Sequence, residues 1–150
     1  MCVLPPLASE ASGSSGQASD SEAACGVTSV AWSPAQPQVL YASVGMGVHC
    51  LDLRASPDRP SQSFSLSRDE VNCVALNAKG TYLATADDAG EVQVLDLATG
   101  KQFKSIRNVH RSLASSVAFR PTKPWELLTG GLDASIARYD FSRPNPLDRW

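Results

Sequence analysis

The chain has 150 residues, 43% of them hydrophobic and 19% charged, which suits one globular domain with some polar sequence attached. Thirteen Lys and Arg stand against 15 Asp and Glu, a formal net charge of −2, so neither a nucleic acid nor a membrane surface is the expected partner. No apolar run reaches the length needed to span a bilayer.

The N-terminal stretch MCVLPPLASEASG lacks a basic leading segment, and its short apolar part is broken by prolines, so it does not read as a secretory signal. Residues 8–24, ASEASGSSGQASDSEAA, bury too little apolar surface to offset their ordering entropy. A disordered Ser/Ala/Gly-rich head over residues 1–26 is therefore expected.

From Val27 the texture changes to short β-like runs between turn residues. The first unit reads VTSVAW (27–32), VLYASV (39–44), VHCLDLR (48–54) and SQSFSL (61–66). The second reads VNCVAL (71–76), YLATAD (82–87), VQVLDL (92–97) and QFKSI (102–106). The third reads LASSVAF (113–119), ELLTGG (126–131) and IARYDF (136–141). Turn chemistry separates them: Ser33-Pro34 and Arg120-Pro121 follow the first strand of a unit, and Ala98-Thr99-Gly100-Lys101 follows the third.

The units are in register. Asp52, Asp96 and Asp140 are 44 residues apart, and Leu53, Leu97 and Phe141 keep the same step. Val30, Val74 and Val117 step by 44 and then 43, as do Ala31, Ala75 and Ala118. A period near 44 with about four short strands per unit is the signature of a β-propeller blade. The predicted architecture is all-β: a partial propeller of three four-stranded antiparallel blades over residues 27–66, 71–106 and 110–150.

Cys2, Cys25, Cys50 and Cys73 form no CxxC pair and no zinc-site spacing. Cys50 and Cys73 fall inside strands, where a reduced thiol acts as a small apolar residue, so a reducing compartment, cytoplasm or nucleus, is expected.

The blocks VAWSP, YLATADDAGEVQVLDLATGK and VAFRP resemble the WD-repeat family. The resemblance runs from about Val27 to Phe141 and implies a propeller that binds other proteins and carries no cofactor, metal or catalytic residue. It places Asp52, Asp96 and Asp140 at the Asp of the family's Trp-Asp pair, where the carboxylate accepts N–H groups of the following turn. Leu51, Leu95 and Tyr139 stand where the Trp would be. His110, Thr129, Asp133 and Tyr139 fall on the positions of the family's buried hydrogen-bonded tetrad; the second unit has Ala89 at the aspartate position, with Asp88 beside it.

His110 reads as a structural histidine, because His49 lies in another unit and no nucleophile motif such as GxSxG is present. From Lys101 to Lys123 there are six basic residues and no acidic one. That run is either the wet face of an outer strand or a patch for an acidic or phosphate-bearing partner. Asp52 and Arg54 resemble the D-x-R of the W-D-x-R signature in propellers that carry substrates to a cullin ubiquitin ligase through its adaptor. Arg54 reads equally as an ordinary surface arginine.

Three blades do not close a ring, since propellers use about four to eight. The expectation is a part of a longer propeller with uncovered faces at both ends of the arc, acting as a non-catalytic protein-interaction scaffold. The alternatives are a ligase substrate receptor and, distantly, an enzyme with an unrecognised site.

Overall fold

Alternation of apolar and polar residues over five or six positions, punctuated by Gly, Pro, Asp and Ser, gives strands here and no helix among the described residues. A computed structural model describes residues 26–55, 59–143 and 146–150. The expected head over residues 1–26 lies outside that range apart from Gly26, as do Cys2 and Cys25.

Among the described residues twelve strands form three sheets. The first holds β1 (Val27–Trp32), β2 (Val39–Val44), β3 (Gly47–Asp52) and β4 (Gln62–Ser65). The second holds β5 (Val71–Leu76), β6 (Tyr82–Asp87), β7 (Val92–Asp96) and β8 (Lys101–Ile106). The third holds β9 (Ala114–Arg120), β10 (Lys123–Gly131), β11 (Ile136–Asp140) and β12 (Pro146–Arg149). In each sheet every neighbouring pair is antiparallel and sequential, a meander.

One strand starts earlier than the sequence suggests. Glu126 was the expected start of the third unit's second strand, but β10 opens at Lys123, which pairs with Arg120 across Pro121-Thr122. Both cations then reach the Glu126 carboxylate, at 2.9 and 2.8 Å, which ties the hairpin end together.

The sheets stack face to face, and the middle one is apolar on both sides. Against the first blade it presents Val74, Leu83 and Leu95, which pack with Val39, Tyr41, Val48 and Cys50. Against the third it presents Ala84, Ala86, Val92, Val94 and Ile106, which pack with Val117, Leu127, Ala137, Tyr139 and Phe141. Tyr82 and Phe103 each meet Phe141 edge-on at that seam and are tilted to one another, with centroids 5.2–5.8 Å apart.

The repeat also shows a face that has no neighbour among the described residues. Val74 and Val117 are 4% and 6% exposed, whereas Val30 at the same place in the first blade is 65% exposed. Burying a valine contributes about 1.5–3 kcal/mol, so Val30 forgoes most of what its counterparts supply.

A register shift recurs at the start of each innermost strand, skipping Thr28, Asn72 and Ser115. The skipped side chains bond instead of pairing in the ladder. Thr28 Oγ1 donates to the Val71 carbonyl, and Asn72 Nδ2 donates to the Ala114 carbonyl at 3.1 Å, each in the next blade. Ser115 Oγ bonds the Gly130 carbonyl of its own blade, at 3.2 Å.

Candidate functional site

The side chains singled out by the repeat pattern sit at three kinds of place: the turns after the third strands, a buried set in the third blade, and the first blade's rim. At the turns, one geometry occurs three times. Asp52 Oδ1 accepts the Arg54 N–H at 3.0 Å, Asp96 Oδ1 accepts the Ala98 N–H at 2.9 Å, and Asp140 Oδ1 accepts the Ser142 N–H at 2.9 Å. A carboxylate bonding an N–H two residues on is an Asx turn, which sets the chain direction out of the strand.

The buried set centres on His110, which follows the loop after β8 and has a fully buried side chain. Its Nδ1 lies 3.0 Å from Asp133 Oδ1 and its Nε2 lies 2.9 Å from Thr129 Oγ1. A neutral ring with its proton on Nδ1 satisfies both contacts, donating to Asp133 and accepting the Thr129 hydroxyl. Asp133 also accepts the Arg111 N–H at 2.9 Å, the Ser135 hydroxyl at 2.7 Å and Arg149 at 2.9 Å. The Arg111 N–H, then the Ser135 hydroxyl, hold the Asp133 carboxyl well below the usual carboxylate range.

Tyr139 does not join this set: no hydrogen bond links it to His110, Thr129 or Asp133 among the described residues. It packs in the core between the second and third blades and is 7% exposed.

The imidazole needs room, and Gly131 provides it. A Cβ there would collide with His110 Nδ1 and lie 2.8 Å from Asp133 Oδ1. The second blade solves the same place differently. Its counterpart of Gly131 is Asp87, and its counterpart of His110 is Ser67. Both are buried, and the Asp87 carboxylate accepts the Glu91 N–H at 2.9 Å. Burial raises the Asp87 pKa, partly opposed by that backbone bond and by Ser67. Thr85, the counterpart of Thr129, has a buried hydroxyl with no partner among the described residues. Asp88 accepts Asn72 Nδ2 at 2.8 Å.

At the first blade's rim, Arg54 is 69% exposed and grips Asp52 with two parallel bonds, Nε to Oδ1 at 3.0 Å and a terminal nitrogen to Oδ2 at 2.8 Å. The Arg54 side chain brings the Asp52 pKa down to about 2. His49 is buried in β3 of the first blade with Nδ1 2.7 Å from Ser63 Oγ, and the second blade separates it from His110. Cys50 and Cys73 are free thiols at the two inter-blade seams. No group of three or more His, Cys, Asp or Glu is arranged to hold a metal among the described residues.

Comparison with known proteins agrees with this geometry. Residues 58–96 match the family described as WD40: WD domain, G-beta repeat. The chain is 30% identical over 118 residues to the WD repeat-containing protein 53 homolog of Dictyostelium discoideum, spanning 76% of this chain and 32% of that one. It is 39% identical over 68 residues to the protein transport protein sec31 of Emericella nidulans, 45% of this chain and 5% of that one. The chain thus spans a third or less of these relatives' length. A crystal structure of RRP9 WD40 repeats superposes with a TM-score of 0.74 at 15% identity, over 83% of this chain and 38% of that one.

Proposed function

We propose that this chain, a WD40-repeat protein whose repeats fold as propeller blades, is a non-catalytic scaffold that binds other proteins through its loops and blade rims. The observation that carries this reading is the use made of the recurring polar groups. Asp52, Asp96 and Asp140 each bond an N–H of their own turn, and Asp133 and His110 bond one another. Groups held in this way fix loops; they are not poised around a shared cleft where a reacting atom could sit. The relatives point the same way, being named for a repeat and for transport and not for a reaction. A reducing compartment, cytoplasm or nucleus, belongs to the same reading.

The test is photo-crosslinking in cell extract with the probe at exposed Leu53 or Met46. Discrete protein adducts absent from a β-rich control of similar charge are expected. Adducts identical to the control's would refute the reading.

A narrower second reading, substrate receptor of a cullin-RING ubiquitin ligase, draws support from the Asp52–Arg54 pair. The carboxylate holds the guanidinium outward at the rim, so its conformational freedom is already reduced before a partner arrives. Arg54→Ala should abolish capture of the ligase adaptor while Arg59→Ala does not. Equal capture by parent and Arg54→Ala would remove this reading and leave the scaffold.

A further inference from the structure

The six basic residues between Lys101 and Lys123 do not form one patch. Arg120 and Lys123 close on Glu126, and the Arg111 backbone feeds Asp133. Lys104 on β8 and Arg107 just beyond it reach the seam between the second and third blades, where Arg143 and Arg149 of the third blade stand on the other wall. With Ser105 and Tyr139 these four line a cleft of about 330 Å3, and among the described residues no carboxylate lines it.

The four cations are unequally occupied. Arg149 bonds Asp133 at 2.9 Å and Arg143 approaches Asp140 at 3.5 Å. Lys104 and Arg107 make no side-chain hydrogen bond or ion pair among the described residues. Like charges gathered in one cleft repel, and a ligand of opposite sign relieves that repulsion. The Tyr139 hydroxyl has no hydrogen bond among the described residues. Burial raises its pKa, so it stays protonated near neutral pH and offers a donor at the cleft floor.

We propose that this seam is a docking groove for an extended, carboxylate-rich segment of a partner protein. The proposal rests on the scaffold reading and adds the chemistry of what is bound. The cations are distributed over two walls, contributed by two blades, which suits several carboxylates along a chain better than one phosphate. Among the described residues Tyr139 is the one aromatic lining the groove, and it is itself packed in the core, so a nucleic-acid strand finds no free ring there to stack on.

The experiment is a fluorescence anisotropy titration of the 150-residue chain with a labelled peptide of alternating Glu and Ser. Lys104→Glu/Arg107→Glu is expected to weaken binding by at least about tenfold, and raising salt from about 0.15 M to about 0.5 M to weaken the parent, because the Debye length shortens from about 8 Å. Neither residue holds structure by a side-chain bond, and circular dichroism checks that the variant is folded. Arg143→Glu, on the opposite wall, is expected to act alike and keeps the test open if the double variant fails to fold. A peptide whose one charged group is a phosphoserine and a single-stranded oligonucleotide are the comparison probes. Equal affinity of parent and variants, no binding of the glutamate peptide, or tighter binding of either comparison probe would each overturn the proposal. The scaffold reading is tested by crosslinking without this peptide, so it can stand when the groove falls.

Discussion

Asn72 in the second blade donates a hydrogen bond from Nδ2 to the backbone carbonyl of Ala114 in the third, at 3.1 Å, across the seam between their innermost strands. The same seam has a thiol contact, Cys73 Sγ to the Val117 carbonyl at 3.8 Å, and the preceding seam has the Val74 N–H on Ser29 Oγ at 3.2 Å. Blades therefore join by specific polar bonds at their inner edge as well as by apolar packing of their faces. Asn72→Ala should cost about 0.5–1.5 kcal/mol in urea denaturation. Ser115→Ala, at the equivalent place but bonded within its own blade, should cost less. Equal losses would show that the inter-blade bond adds nothing.

Thr129→Val keeps the shape of the buried side chain but removes the hydroxyl facing His110 Nε2. Leaving that nitrogen without a partner should cost about 1–3 kcal/mol. Asp133→Ala should lower the unfolding midpoint more than Asp140→Ala, because Asp133 supports a buried ring and several N–H groups while Asp140 supports one turn. Denaturation curves of the three variants check both statements.

Asp133 and Asp87 should respond to pH in opposite directions. The folded pKa of Asp133 is depressed, so its contribution is present above the ordinary aspartate value near about 4 and is lost as pH falls from there toward the folded value. The folded pKa of Asp87 is raised, so its favourable contribution is present below the ordinary value and is lost as pH rises through the folded value. Asp87→Asn, which still has an oxygen to accept the Glu91 N–H, should raise the melting temperature at pH 7 and lose that gain below about pH 4. A melting temperature unchanged or lowered at pH 7 would contradict the assigned effect of burial.

The first blade's uncovered face should make the chain associate with itself. Val30 is 65% exposed and Trp32 60%, whereas Val74 and Val117, the counterparts of Val30, are buried and Leu76 and Phe119, those of Trp32, are half-buried. Sedimentation at rising concentration should show growing species for the parent and fewer for Val30→Lys. A monomer at every concentration would contradict this.

Much of the fold was legible because its determinants are local. An aspartate that bonds an N–H two residues on writes itself into the sequence at each turn, so Asp52, Asp96 and Asp140 mark the period directly. The inter-blade bonds were not legible, because one partner of each is a backbone carbonyl or N–H, which nearly any residue supplies. The polar side chains at Thr28, Asn72 and Ser115 were the available signal, repeating with the same step as the valines. Replacement of the His110–Gly131 pair by Ser67 and Asp87 was equally hidden, since it links positions on different strands. The basic stretch read as continuous in sequence, yet Arg120 and Lys123 turn to Glu126 while Lys104 and Arg107 line the inter-blade cleft once the strands fold.

Asp52, Asp96 and Asp140 each bond an N–H of the turn they open, and in the proposed scaffold that turn geometry is their role. Asparagine keeps the accepting oxygen of an Asx turn and removes the charge. The most direct measurement is therefore crosslinked partner capture by the double variant Asp96→Asn/Asp140→Asn, set against Asp96→Ala/Asp140→Ala, with the circular dichroism spectrum of each recorded. The asparagine variant is expected to keep both its β-rich spectrum and its partners, while the alanine variant loses stability and capture together. An asparagine variant that stays folded but loses its partners would contradict that role.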